Sequence, residues 1–250
     1  MKILIINGSQ RQKNTYNLLK RIEGKLSDFD TEFINIKDYK IDPCIGCENC
    51  LRKGTCHIKD EAKIILDKMI EADGIIIGTP IYLRHIPGEL KMLFDRGCSW
   101  YHRSPLVGKP MMFAITTQVT GTKNALAYLK DLTVQWGAIY SGNISRTVFN
   151  TEDPIKQDEF KTFYKYLNND NLKKYRPSYK QIFEFNTQKV LAEEILPIDL
   201  EFWTENGYIN KPYFFKSKIG LIKRFSGFLF YKFLRNVQKT TVLQSQYSFY

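Results

Sequence analysis

The chain has 250 residues, 43% of them hydrophobic, enough for one substantial core with an extension rather than two independent domains. Its formal charge is +11, and from Asn206 to Tyr250 there are eight Lys or Arg and no Asp or Glu. No nucleic-acid-binding motif accompanies that charge, so nucleic acid is not an expected partner. The apolar run Ile3 to Ile6 is too short for a signal-peptide core or a membrane span, which predicts a cytoplasmic protein.

In chain order, short apolar runs predict strands at 2–7, 31–36, 74–79, 111–116 and 139–148. Apolar residues recurring at three and four positions predict helices at 16–26, 61–72, 88–98 and 122–136. Five such units with continuous apolar strands imply an α/β, doubly wound, five-stranded parallel sheet of flavodoxin-like order 2-1-3-4-5 over residues 1–150. The carboxyl ends of parallel strands share one rim, and ligands bind there.

Three loops reach that rim. In ILIINGSQRQKNT a strand runs through a polar turn into a helix, whose free amides favour an anion. Ser9 and Thr15 supply hydroxyls, Asn14 a helix cap, and Arg11 a forked cation. With neither a Walker A sequence nor three spaced glycines, a monophosphate is the expected guest. The second loop, TPIYLRHIPGELK, stiffens its backbone with Pro80 and Pro87 and offers Tyr82 as a flat stacking surface. The third, TTQVTG, carries Thr116, Thr117 and Gly121 and would complete a polar wall. His85 lies near the rim and counts among the candidate cofactor-binding residues, but neither it nor His102 is assigned as a general acid or base.

Together NGSQRQKNT, TPIY, GELKMLFDR and TTQVTG resemble the NADPH-dependent FMN reductase family of flavodoxin-like proteins over about the first 150 residues. PCIGCENCLRKGTCHIKDE is similar to the compact cysteine segment of the iron-sulfur flavoproteins within it. The resemblance implies non-covalent FMN, with Ser9, Arg11, Asn14 and Thr15 at the phosphate and Pro80, Ile81 and Tyr82 at the ring. The third loop departs from the glycine-rich form usual there.

Four of the five cysteines, Cys44, Cys47, Cys50 and Cys56, occur within the loop 43–57 as C-x2-C-x2-C-x5-C. That spacing suits the faces of one 4Fe-4S cubane, whereas paired zinc knuckles stand much further apart. Arg52, Lys53 and Lys59 would offset its negative charge. The competing expectation is that these cysteines are small, half-buried hydrophobes between turns at Gly46 and Gly54. Cys98 reads as a core residue.

After Asn150 the β-α rhythm stops, and residues 151–250 read as a helical, aromatic and basic extension. LEFWTENGYINKPYFF resembles a carboxyl-terminal arm of relatives, packing on the flavin domain or a partner subunit and anchored by Trp203 and Tyr208. Between Lys218 and Arg235, Ile222, Phe225, Leu229 and Phe233 share one helical face flanked by Lys223, Arg224, Lys232 and Arg235. That stripe either packs on the flavin domain or a dimer mate, or lies on an anionic membrane surface.

The expected function is a flavin oxidoreductase moving electrons between NAD(P)H or a ferredoxin-type donor and an acceptor through FMN and one 4Fe-4S cluster, as a homo-oligomeric dimer or tetramer. Two alternatives stand beside it: a cluster-free NAD(P)H-dependent FMN or quinone reductase, and a non-enzymatic electron carrier with a membrane- or partner-binding tail.

Overall fold

A computed structural model describes residues 1–247, with side chains through residue 238. Five strands, β1 (Lys2–Asn7), β2 (Asp30–Asn35), β3 (Gly74–Pro80), β4 (Pro110–Thr117) and β5 (Ile139–Thr147), form one sheet in the order β2-β1-β3-β4-β5. Every neighbouring pair is parallel, as expected from sequence. The three inner strands are the ones buried almost throughout, because helices cover both faces.

Helices α1 (Asn14–Glu23), α2 (Asn49–Lys53), α3 (Ala62–Glu71), α4 (Gly88–Arg96), α5 (Thr122–Gln135) and α6 (Lys161–Leu167) follow in chain order. On one face α3, α4 and α5 press Ile65, Leu93 and Leu129 against Ile75, Phe113 and Ile115. On the other, α1 packs beside α6, so Phe160, Phe163 and Leu167 share a buried cluster with Ile3, Ile76 and Met112. The extension's first helix is thus part of the sheet's own core.

The remaining helices are α7 (Tyr179–Glu194), α8 (Pro197–Glu205) and α9 (Leu221–Tyr247). Ser178 caps α7 and forms a reciprocal capping box with Gln181, which fixes its start. A third cluster holds Phe185, Trp203, Tyr213 and Phe214, with the Trp203 and Tyr208 rings 5.7 Å apart. Trp203 is fully buried and donates from Nε1 to the carbonyl of His102 at 2.8 Å, anchoring the arm on the flavodoxin-like body. Among the described residues no helix is long and apolar enough to cross a membrane.

Candidate functional site

At the carboxyl rim a cavity of about 260 Å³ opens between the loops after β1, β3 and β4. Ser9, Arg11, Asn14, Thr15, Pro80, Ile81, Tyr82, Thr116 and Thr117 all line it. Lys13, Gln118 and Val148 complete the wall. Lys13 lies inside the same polar loop, so a search for every cation in that turn would have found it.

The first loop is held by its own side chains. Asn7 accepts from the Ser9 N–H at 3.2 Å and donates to Asn35 at 3.1 Å, tying the ends of β1 and β2. Ser9 Oγ accepts from the Arg11 N–H at 3.2 Å, which bends the chain toward α1. Asn14 is the first helical residue rather than a cap, and among the described residues no side chain caps α1. Its leading amides are left for another acceptor beside Arg11 and Lys13, a donor set that fits a phosphate.

Thr15 Oγ1 and Thr116 Oγ1 are 2.6 Å apart, joining the first loop to the end of β4. The second loop folds back through paired backbone hydrogen bonds between Tyr82 and His85, each 2.9 Å. Leu83 and Arg84 at its tip take positive φ. Tyr82 remains 41% exposed and meets Arg11 Nη2 at 3.5 Å, so its ring can turn a face to a ligand. His85 does not line the cavity; its ring packs on Tyr128, with centroids 4.8 Å apart. Gly121 does not line it either. It begins α5 at φ +99°, where a Cβ would fall 2.8 Å from Ile81 and 3.0 Å from Arg84 Cα. Its absent side chain lets the second and third loops touch.

The cysteine loop follows β2 and so leaves from the same rim. Cys44, Cys47 and Cys56 are exposed and Cys50 is half-buried, so they do not form an apolar plug. All four border one cavity of about 340 Å³. Cys98 is exposed rather than a core residue, borders the same cavity, and lies 3.4 Å from Cys50, sulfur to sulfur. Cys47 Sγ is 3.3 Å from His57 Nδ1. Among the described residues no three His, Cys, Asp or Glu side chains are gathered closely enough to hold a metal ion. The chemistry of the donor set nevertheless suits a thiolate-bound cluster.

Two arginines absent from the sequence-based site hold this loop. Arg96 is buried at the end of α4 and pairs with Asp60, while donating to the carbonyls of Asp42 at 3.0 Å and Ile58 at 3.1 Å. Both ends of the cysteine segment thus meet one guanidinium. Among the described residues its buried Nε–H has no hydrogen-bond partner, and Arg96 borders the cysteine cavity. Burial opposes ionisation of Asp60, but Arg96 and the N–H groups of Asp42 and Ala62 outweigh it and hold the carboxyl below its ordinary value. Arg52, by contrast, turns to Glu48 at 2.7 Å. Arg103 donates to the carbonyls of Cys50 at 2.5 Å and Leu51 at 3.3 Å and pairs with the fully buried Asp199 of α8, linking extension to cysteine helix.

Residues 1–151 match the NADPH-dependent FMN reductase family, and the chain belongs to that family. An iron-sulfur flavoprotein of Archaeoglobus fulgidus is 48% identical over 98 residues, covering 38% of this chain and 48% of its own length. An iron-sulfur flavoprotein of Clostridioides difficile is 27% identical over 84% of this chain and its own full length. The chain thus spans about half the length of the first of these relatives. Among solved structures, RosB with bound 8-demethyl-8-formylriboflavin-5'-phosphate superposes with a TM-score of 0.52 over 84% of this chain and 88% of its own, at 15% identity. That likeness shows the flavodoxin-like fold alone.

Proposed function

We propose that this chain is an FMN-dependent oxidoreductase that takes electrons from NAD(P)H or a ferredoxin-type donor and passes them on through one 4Fe-4S cluster. The observation that carries the reading is the rim cavity, where three separate loops bring a helix start, two cations, hydroxyls and an aromatic face together. In it, Ser9, Arg11, Lys13 and Thr15 would hold the ribityl phosphate, and Pro80, Ile81 and Tyr82 the ring. FMN supplies the exchange between hydride and single-electron chemistry.

Cys44, Cys47, Cys50 and Cys56 would hold the cluster, a one-electron group. Arg96, which borders the cavity, would support it with a buried cation. The protein's own work is positioning: Arg96 and Arg103 fix the loop's ends and middle, and Thr15 with Thr116 fixes the flavin cavity. Assembly as a dimer or tetramer belongs to the same reading.

A cluster-free NAD(P)H-dependent reductase is the second reading, favoured by thiols that are not gathered to ligand geometry. Anaerobic purification followed by flavin, iron and sulfide assay separates the two. FMN with about four iron and four sulfide per chain supports the first; FMN without iron supports the second. Rapid mixing with NADPH and NADH then identifies the donor by flavin bleaching, and bleaching with neither points to a ferredoxin-type donor.

A further inference from the structure

Helix α9 is packed with the wrong side out for a helix in water. It lies along α7, with Phe230 over Phe183 at 4.7 Å between ring centroids. Contact is close at Gly227, where a Cβ would fall 2.6 Å from Ile182. The packed side is mixed: beside Phe230 and Gly227, Tyr231 donates to Glu193 at 2.6 Å, Arg235 to Glu194 at 2.7 Å, and Lys223 to the Pro177 carbonyl at 2.8 Å. The side away from α7 and one flank carry the exposed apolar residues, Phe228 bordering the groove against α7. Leu221 is 84% exposed, Ile222 76%, Phe225 61%, Phe228 52%, Leu229 50% and Phe233 62%. An ordinary surface helix shows the reverse, and a contiguous apolar stripe of this kind marks a surface that something covers.

The charge around the stripe says what covers it. Arg224 and Lys232 are exposed on the same helix and Lys216 and Lys218 on the segment leading into it, and no acidic residue occurs from Asn206 to the end of the chain. Glu193 and Glu194, the nearest acids on α7, are turned inward and engaged. Pairing this face with itself in a second copy would set one cationic stretch against another. A bilayer with anionic headgroups provides both the opposite charge and a fluid apolar phase for side chains of unequal reach. Among the described residues no helix is long and apolar enough to cross.

We propose that the outer face of α9 is a membrane-binding surface that seats this protein on an anionic lipid bilayer, with the helix lying in the plane of the headgroups. The geometry is independent of what the rim cavity or the cysteines hold, so this inference and the redox reading stand or fall separately.

The test is co-sedimentation of the full chain with vesicles of phosphatidylcholine containing about one quarter phosphatidylglycerol, against phosphatidylcholine alone. Binding is expected to the anionic vesicles at low ionic strength, with release by salt. The pair F225S and F233S is expected to lower partitioning roughly tenfold or more. The pair R224Q and K232Q is expected to lower it roughly twentyfold. All four residues are exposed, Arg224 at the edge of the groove against α7, and each pair reads the proposal without the other.

Bound flavin and helical circular dichroism, measured on the same samples, are expected to stay at the level of the unsubstituted protein. Intact protein that stays in the supernatant with anionic vesicles at low salt would overturn the proposal. So would substituted proteins that pellet like the intact chain. A stable dimer in sedimentation velocity that F225S and F233S dissolve, without vesicle binding, would assign the face to a second copy instead.

Discussion

Thr15 and Thr116 stand 101 residues apart in sequence, and their hydroxyl oxygens meet at 2.6 Å. Thr15 lies in the first turn of α1 and Thr116 is the penultimate residue of β4, so this contact ties together two walls of the rim cavity. Thr116→Val removes one hydroxyl while keeping shape. The expected outcome is an FMN affinity about three- to tenfold weaker, read by flavin fluorescence titration, with a stability loss of about 1–3 kcal/mol because the buried Thr15 hydroxyl loses its partner.

Arg11 tests the phosphate assignment more selectively. Hydrogen bonds to charged groups contribute roughly 1.5–3 kcal/mol, so Arg11→Ala is expected to weaken FMN by about ten- to a hundredfold. Riboflavin, which lacks the phosphate, should bind the variant and the parent alike. Equal losses for both ligands would place the guanidinium at the ring instead.

Gly121→Ala combines an unfavourable φ with contact against Ile81 and the Arg84 backbone. A loss of about 1–3 kcal/mol in chemical denaturation is expected, together with weaker flavin binding as the second and third loops part.

Arg96 and Asp60 form a buried pair, with side chains 2% and 0% exposed. Asp60→Asn leaves the guanidinium unpaired and is expected to cost about 3–5 kcal/mol. In the parent the Asp60 carboxyl is held below its usual value, so its contribution is complete above the ordinary aspartate pKa near 4 and is lost as pH falls through the lower folded value. Acid unfolding should therefore be shallower in pH for D60N, as measured by stability between about pH 5 and 2.

Cysteine substitutions divide the five thiols. Serine at Cys44, Cys47, Cys50 or Cys56 is expected to remove iron from anaerobically prepared protein, whereas Cys98→Ser retains it. Iron loss in C98S equal to that in C50S would make Cys98, 3.4 Å from Cys50, a ligand in its own right.

Much of the fold was legible because its signals are local. Runs such as Ile3 to Ile6 and Ile75 to Ile77 are buried on both faces, and the order of elements follows from their alternation with amphipathic helices. The rim residues were legible for the same reason, since Ser9, Arg11, Thr15 and Pro80 to Tyr82 sit in short loops at strand ends. What escaped was long-range. Arg96 reaches Asp60 across 36 residues, Arg103 reaches Asp199 across 96, and Cys98 reaches Cys50 across 48, and no periodicity records such meetings. The stripe on α9 was visible as amphipathic, but only the fold shows that its apolar side faces out.

The most direct measurement is a crystal structure of the chain loaded with FMN. Phosphate density between the start of α1, Ser9 and Arg11, with the flavin ring against Tyr82, is the expected result. A flavin bound elsewhere, with the rim cavity left empty, would contradict the assignment of this cavity and the redox role drawn from it.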